Sequence, residues 1–113
     1  MANENSAILV IGLGRFGSAT AVTLTRLGRE VMAIEHNPEL VKDWSGKLTH
    51  VVEADSTNID ALRQVGAADF QTAVVGIGTS IEASVLTTAN LVDLGVAQVW
   101  AKAISPAHGK ILH

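Results

Sequence analysis

The sequence predicts an α/β fold, namely an open, doubly wound parallel sheet of about five strands with helices on both faces. Short β-branched runs alternate with stretches of helical character along the 113 residues, and this alternation is typical of βαβ units. The hydrophobic content is 48%, although no apolar run approaches the roughly 18–20 residues that span a bilayer, which favours strands buried on both faces. Right-handed crossovers then predict the strand order 3-2-1-4-5.

Local composition and terminal signals place each strand and helix in order. The predicted strands are Ala7–Ile11, Glu30–Glu35, His50–Glu53, Thr72–Gly76 and Gln98–Lys102. The predicted helices are Phe16–Leu27, Pro38–Ser45, Ile59–Val65, Glu82–Leu94 and Pro106–His113. The polar stretch Met1–Ser6 precedes the first unit, and we expect a disordered tail there and a single domain over residues 7–113.

The predicted helix ends carry residues that stabilise free backbone groups. Three helices are followed by a glycine that can adopt the left-handed conformation at little cost. These glycines are Gly28, Gly66 and Gly95. Asn37 and Ser80 are typical N-cap residues, and Thr57 with Asp60 suggests a capping box.

Composition excludes several classes of function. With no cysteine, the chain cannot form a disulfide, a thiol nucleophile or a Cys-ligated metal centre, and with no tyrosine it has no phenol for acid–base catalysis. Charged residues make up 17% and the net charge is −3, which gives no support for a nucleic-acid-binding surface. Since the histidines lack metal-ligand spacing and no nucleophile elbow is present, we expect neither a metal nor a catalytic residue. Without a signal-peptide pattern, we expect a cytoplasmic protein.

The strongest motif is a G-x-G-x-x-G loop that follows the first apolar strand and opens the first helix. It consists of Gly12, Leu13, Gly14, Arg15, Phe16 and Gly17. In dinucleotide-binding Rossmann folds the first glycine permits a tight turn, the second lets a pyrophosphate approach the backbone, and the third permits close helix–strand packing. Glu35 closes the second strand, where a carboxylate accepts ribose hydroxyls and repels a 2′-phosphate. The motif indicates a nucleotide site that disfavours NADP, the alternative being a turn whose glycines serve packing alone.

Ligands of open α/β sheets bind at the carboxyl ends of the strands, so other residues at those ends are candidate contacts. They are His36, Asp55, Ser56, Thr57, Gly76, Ile77, Gly78 and Lys102. The glycines at 76 and 78 would let a ligand approach the backbone, the alternative being an ordinary glycine turn. Asp55 could reach adenine or cap a helix, while His36 and Lys102 could contact the ligand or be ordinary surface residues. Arg15 lies at a helix start, where a cation opposes the dipole, so a phosphate in its own or a neighbouring subunit would compensate it. The alternative is an ordinary solvated surface arginine. We expect Phe16 to pack under the loop.

The fourth predicted helix carries an apolar stripe with helical spacing. Its members are Ile81, Val85, Leu86, Ala89 and Val92. We expect one side of this stripe to cover the sheet, while its residues beyond the covered area, together with Ser84, Thr87 and Thr88, could face a second subunit. The simpler alternative is that the whole stripe belongs to the core.

Several segments together resemble the RCK (regulator of potassium conductance) N-terminal domain, also called TrkA-N, of Ktr and Trk potassium-uptake regulatory subunits. They are Ile11–Gly17, Glu53–Thr57, Val75–Gly78, Ile81–Ser84, Leu86–Thr88 and Val99–Ala103. The resemblance covers nearly all of the chain after Ser6 and is far more specific than the glycine loop alone. It implies a Rossmann-like lobe over residues 7–113 that stops before the final strand, the crossover helix and the C-terminal lobe of the family.

The resemblance also implies a function, that of a regulatory domain and not of an enzyme. Such domains sense ATP and ADP, or NAD(H), and gate an integral membrane potassium transporter or channel from the cytoplasmic side, as peripheral proteins of the inner membrane face. They form homodimers, which in full-length family members build an octameric ring. The resemblance therefore implies that the ligand contacts serve to sense a nucleotide and not to convert a substrate.

The same resemblance implies roles for individual residues. Arg15 matches an arginine that approaches a γ-phosphate, including from the partner subunit. Glu35 matches the ribose-binding acid, where relatives usually have the shorter Asp. The other matches are Gly12, Gly14 and Gly17 for the phosphate loop, Asp55, Ser56 and Thr57 for the adenine side, and Ile77, Gly78 and Lys102 for the far wall of the cleft.

Two other functions stay open from the residues alone. One is the cofactor-binding half of an NAD-dependent oxidoreductase, and the other is a small nucleotide-dependent switch that acts on a different partner. An oxidoreductase needs a proton donor beside its nicotinamide, and the sequence offers neither a tyrosine nor a convincing catalytic histidine. The choice between ATP/ADP and NAD(H) also stays open, because Glu35 fits any ligand with a free adenosine ribose.

Overall fold

The computed structural model describes residues 7–78 and 80–102, which form five parallel strands linked by helices. In chain order the elements are β1 (Ile8–Ile11), α1 (Arg15–Arg26), β2 (Val31–Glu35), α2 (Pro38–Ser45), β3 (His50–Glu53), α3 (Ile59–Gln64), a short 3-10 turn (Ala67–Asp69), β4 (Thr72–Val75), α4 (Ile81–Asp93) and β5 (Gln98–Ala101). No helix within these residues is long and apolar enough to cross a membrane. The predicted tail Met1–Ser6 and the predicted helix Pro106–His113 lie outside the described residues.

The strands form one sheet in the order β3-β2-β1-β4-β5, with every pair parallel, which confirms the predicted fold class and strand order. β1 occupies the centre of the sheet, and all four of its residues are buried. On one face, Leu9 and Ile11 share a core with Leu62 of α3 and Leu91 of α4. On the other face, Val10 belongs to a second core beneath α1 and α2. Burial on both faces explains the high apolar content of the strands.

Most helix ends carry the residues that the sequence predicts. Asn37 caps α2 by accepting the N–H of Glu39 at 2.9 Å, and Ser80 caps α4 by accepting the N–H of Ala83 at 3.1 Å. The glycines that follow α1, α3 and α4 all have positive φ angles, so their left-handed conformation is confirmed. These angles are 84° at Gly28, 86° at Gly66 and 92° at Gly95.

The prediction of a capping box at Thr57 was wrong, because Asn58 caps α3 instead. The Asn58 side chain accepts the N–H groups of Asp60 and Ala61 at 2.9 and 3.3 Å. The Thr57 hydroxyl donates to Oδ1 of Asp55 at 2.7 Å. Threonine and asparagine are both good caps, so composition alone does not decide between two adjacent candidates.

The expectation that Ser84 and Thr87 could face a second subunit was wrong, because this side of α4 packs inward. Ser84 is 4% exposed and Thr87 is fully buried. The Thr87 hydroxyl lies 2.7 Å from Oγ of Ser56, so its burial leaves no polar atom without a partner. The apolar stripe is exposed, so the expectations that one side of it covers the sheet and that all of it belongs to the core are wrong. Contact of its outer residues with a second subunit stays a prediction. Its exposed members are Ile81, Val85, Leu86, Ala89 and Val92.

Three glycines allow β1, α1 and β4 to approach one another closely. A Cβ at Gly17 would overlap the carbonyl oxygen of Gly12, which itself has a φ of +94°. A Cβ at Gly76, directly after β4, would lie 2.9 Å from the Cα of Gly17. Real Cβ atoms do not come this close to backbone. The packing role predicted for Gly17 and the tight turn predicted for Gly12 are therefore confirmed.

Gly17→Ala is expected to destabilise the fold strongly, because the clashing atom is backbone and cannot rotate away. Overpacking of this kind costs about 1–3 kcal/mol, or more when the backbone must shift. The matched control is Gly46→Ala after α2, where φ is −90° and no atom lies within 4 Å of the added Cβ. This control should be neutral or stabilising by up to about 1 kcal/mol. Chemical denaturation measures both variants, and equal stability of the two would contradict the packing described.

Candidate functional site

A cleft of about 400 Å³ opens at the carboxyl ends of β1 to β4. Its volume lies in the range of small-molecule sites, roughly 300–1,000 Å³. In the order β3-β2-β1-β4-β5 the direction of winding reverses between β1 and β4. Ligands of open α/β sheets bind at such a reversal, because the helices on either side diverge and leave a crevice. The topology therefore makes this cleft the candidate site.

The structure brings most of the predicted contacts together in this cleft. Those that line it are Gly12, Gly14, Glu35, His36, Asp55, Ser56, Thr57, Ile77 and Gly78. The predicted residues outside the lining are Leu13, Arg15, Phe16, Gly17 and Lys102. Gly76, which belongs to the predicted segment Gly76–Gly78, also lines the cleft. Lining residues that the sequence did not assign to the site are Asn37, Leu40, Ser80 and Ala83. Position in the predicted elements could have identified these residues, because each is the N-cap of a helix or lies in its first turn.

The glycine loop brings the amino end of α1 to the cleft. Gly14 is the N-cap residue, with φ of −70° and ψ of −161°, and the first turn contains no acidic residue. The first N–H groups of a helix have no intrahelical acceptor and carry a partial positive charge, which favours an anion. A Cβ at Gly14 would meet no atom within 4 Å, so packing does not require glycine there. Exposed Arg15 adds a full positive charge at the same helix end.

Glu35 is the buried charge of the site, with only 6% of its surface exposed. Its Oε1 accepts the N–H of Leu13 at 2.6 Å, and its Oε2 accepts the N–H of Asn37 at 2.9 Å. The exposed imidazole of His36 has Nδ1 3.5 Å from the same Oε2. These partners satisfy a carboxylate that would otherwise be costly to bury. Each oxygen can accept two hydrogen bonds, so capacity remains for ribose hydroxyls, and the ribose role stays a prediction.

Asp55 is exposed and organises the turn before α3. Its Oδ1 accepts the hydroxyl and the N–H of Thr57 at 2.7 and 3.0 Å. The Thr57 hydroxyl is the largest cause, and the Thr57 N–H the next largest, that lowers the pKa of the Asp55 carboxyl below its ordinary value of 3.8. Slight burial raises this pKa, and the nearby charge of His36 lowers it further. The carboxylate has acceptor capacity beyond these two bonds, so this local role does not exclude the predicted contact with adenine.

The side chain of Ser56 is used within the fold. Its Oγ lies 2.7 Å from Oγ1 of Thr87, and its carbonyl accepts Nδ2 of Asn90 at 3.1 Å. Both bonds tie the loop after β3 to α4. Ser56 therefore contributes to the site by fixing the position of the neighbouring residues Asp55 and Thr57.

Lys102 and Phe16 contact each other beside the glycine loop. Nζ of Lys102 lies 5.7 Å from the centre of the Phe16 ring, within the range of a cation–π interaction. A Cβ at Gly76 would lie 3.4 Å from Cδ2 of Phe16, so the ring packs over the end of β4. Phe16 packs only in part, with 38% of its surface exposed, so it is not buried beneath the loop as predicted. Its contact with Lys102 holds a cation from the end of β5 near the start of α1.

Sequence comparison finds relatives along almost the whole chain. The family model described as the TrkA-N domain matches residues 8–113. The chain is 39% identical over 109 residues to the Ktr system potassium uptake protein A of Bacillus subtilis (strain 168), covering 96% of this chain and 49% of that protein. It is 40% identical over 103 residues to the Ktr system potassium uptake protein C of the same organism, covering 91% and 47%. The chain thus spans about half the length of these curated relatives.

Solved structures share the fold. The GsuK channel bound to NAD matches with a TM-score of 0.79 at 16% identity, over 96% of this chain and 20% of that chain. The Kef CTD of Shewanella denitrificans in its AMP-bound form matches with a TM-score of 0.68 at 20% identity, over 90% of this chain and 62% of that chain. At these identities the similarity shows the fold alone.

Thr57→Val removes the hydroxyl donor but keeps the side-chain shape and the N–H, so the pKa of Asp55 is expected to rise toward 3.8. A depressed carboxyl pKa stabilises the fold at pH values above 3.8, and this stabilisation is lost as the pH falls through the lower, folded-state pKa. The variant should therefore lose less stability on acidification than the wild type. Carboxyl ¹³C NMR titration measures the pKa directly.

The matched control for this titration is Thr23→Val on the exposed side of α1, which should leave Asp55 unchanged. An Asp55 titration that is the same in Thr57→Val and in the wild type would contradict the assignment of the hydroxyl as the first cause of the shift.

Proposed function

Because the chain belongs to the TrkA-N domain family, we propose that it is the nucleotide-binding domain of a regulatory subunit of a potassium-uptake system. The observation that carries this proposal is the cleft at the winding reversal, where the amino end of α1 and the buried carboxylate of Glu35 meet. The Ktr relatives support potassium uptake as the process. The proposed activity is binding itself, not catalysis.

The ligand that we propose is an adenine nucleotide, either ATP and ADP or NAD(H). Both ligands contain an adenosine ribose and a diphosphate, and the cleft has a partner for each of these groups. The amino end of α1 would bind the diphosphate, and Glu35 would accept the ribose hydroxyls. Asp55 and Thr57 would flank the adenine. The NAD of the GsuK channel and the AMP of the Kef domain support adenosine as the common element.

The phosphate end of the site suggests how ligand exchange would be sensed. Arg15 lies at the start of α1, and Lys102 stacks on Phe16 beside the same loop. Replacing ATP by ADP removes negative charge at this end, where Arg15 of the same or a partner subunit would approach the γ-phosphate. Such a charge change is a local electrostatic event that can bias a larger conformational equilibrium. In our proposal, that equilibrium gates the membrane potassium-translocating subunit.

We further propose that the domain forms a homodimer, as part of an octameric ring in the full-length protein, at the cytoplasmic face of the membrane. The outward side of α4 supports self-association. Its residues Ile81, Val85, Leu86 and Val92 are 48%, 53%, 45% and 59% exposed. A run of large apolar side chains along one helix face is typical of an interaction surface.

Gly14→Ala is expected to leave the fold intact but to weaken nucleotide binding. The conformation of Gly14 is open to alanine and no atom lies within 4 Å of the added Cβ, while the residue lines the cleft. The methyl group would occupy space beside the α1 amino end, and we expect the Kd for ADP to rise by at least about tenfold, or roughly 1.4 kcal/mol. Calorimetric titration measures the Kd, and Gly46→Ala serves as the matched control.

The underlying ligand proposal is tested on the wild type by thermal-shift titration with ATP, ADP, NADH and NAD, since ligands that bind the folded state raise Tm. A stabilising shift without turnover of NADH supports sensing. The absence of a shift with all four nucleotides would overturn the proposed function, and turnover of NADH with an added substrate would favour an oxidoreductase.

Leu86→Lys is expected to weaken dimer formation, because the interface would bury an unpaired charge. Leu86 is 45% exposed on the outward side of α4. The matched control is Leu27→Lys at the end of α1, where the leucine is 72% exposed and away from the stripe. Sedimentation equilibrium should show a dimer dissociation constant raised by about tenfold or more for the first variant only. Equal dimer dissociation constants for the two variants would contradict a dimer interface at α4.

A further inference from the structure

We propose that Glu35 is a positioning residue whose carboxylate fastens the glycine loop to the start of α2. Its Oε1 accepts the loop N–H of Leu13 at 2.6 Å, and its Oε2 accepts the N–H of Asn37, the N-cap residue of α2, at 2.9 Å. Both partners are backbone groups of this chain, so the link needs no ribose. The predicted effect on ligand affinity rests on the proposed nucleotide function, whereas the predicted effect on the position of the loop does not.

The surroundings of Glu35 make the link strong. The residue is 6% exposed, so its charge is largely withdrawn from water and depends on protein donors. Hydrogen bonds to an ionised carboxylate are stronger than those between neutral groups. The carboxylate also lies between the loop that opens α1 and the N-cap of α2, and the positive ends of both helix dipoles favour a negative charge there.

The main chain holds Glu35 in place, so the length of its side chain determines whether the carboxylate reaches both backbone N–H groups. The N–H of Gly12 donates to the carbonyl of Ile34 at 2.8 Å, and the N–H of Ala54 donates to the carbonyl of Glu35 at 3.1 Å. These bonds fix residue 35 between its neighbouring strands. Aspartate would withdraw the carboxylate by about one C–C bond, roughly 1.5 Å. From that distance it could not keep both the Leu13 and the Asn37 bonds.

The positioning role and the ribose role can be separated by choice of ligand. A carboxylate has about four acceptor sites, and two are used by the backbone N–H groups, so both roles are compatible. Inorganic pyrophosphate has no ribose and would contact the loop but not the acid. Its affinity therefore reports on the loop, whereas the affinity of ADP reports on the loop and the ribose together.

The experiment compares Glu35→Asp and Glu35→Gln with the matched variants Glu53→Asp and Glu53→Gln. Glu53 pairs with Glu35 in the sheet register but is exposed on β3. Hydrogen exchange by NMR, without added nucleotide, measures the protection of the Leu13 and Asn37 amides. Calorimetry measures the Kd values for pyrophosphate and ADP. Glutamine is isosteric with glutamate, so Glu35→Gln keeps the test available if the aspartate variant folds poorly.

In each Glu35 variant we expect exchange of the Leu13 amide, the Asn37 amide or both to accelerate by about tenfold or more, since a hydrogen bond to a charged group has about that effect on an equilibrium. The affinities for pyrophosphate and for ADP should fall by similar factors in the Glu35 variants. The Glu53 variants should match the wild type in both exchange and affinity. Unchanged exchange of both amides in both Glu35 variants would overturn the proposal. So would loss of ADP affinity with pyrophosphate affinity intact, which assigns Glu35 to the ribose alone. If the wild type binds no nucleotide but exchange of either amide accelerates in the Glu35 variants, the proposed function fails and the positioning role stands.

Discussion

At the carboxyl end of β1, α1 begins so close to the turn that Gly17 lies against the carbonyl group of Gly12, with Gly76 of the neighbouring strand end beside it. No other residue type fits at Gly17, because any Cβ there would overlap backbone. The contact fixes the amino end of α1 relative to β1 and β4, and so places its free N–H groups at the cleft.

Around that contact, polar side chains at the strand ends serve the fold and the cleft at once. Glu35 joins two backbone segments, Asp55 shapes the turn that Thr57 completes, and Ser56 ties its loop to α4. Each uses part of its hydrogen-bonding capacity within the protein and has further capacity by its chemistry. Such sharing pre-organises a site, because the groups that would meet the ligand are held by bonds that cost nothing at the moment of binding.

α4 packs against the sheet with the face opposite to the one that its composition suggests. Its small polar residues pack inward because Thr87 finds a buried partner in Ser56 and because small side chains let the helix approach its neighbours closely. Leu91 alone supplies a large, fully buried apolar side chain from this helix. The larger apolar residues are left on the outside, where they form an exposed apolar surface.

The sequence by itself determined the fold class, the strand order, the helix ends at Gly28, Gly66 and Gly95, and the placement of the candidate cleft beside the glycine loop. These features follow from local rules: periodic burial, the conformational freedom of glycine and the handedness of crossovers. Only the tertiary structure decided that Asn58 caps α3, that Ser84 and Thr87 of α4 face inward, and that both oxygens of Glu35 are engaged by the backbone. The last two depend on partners far away in sequence, such as Ser56 for Thr87, and no local pattern encodes which distant group will satisfy a polar atom.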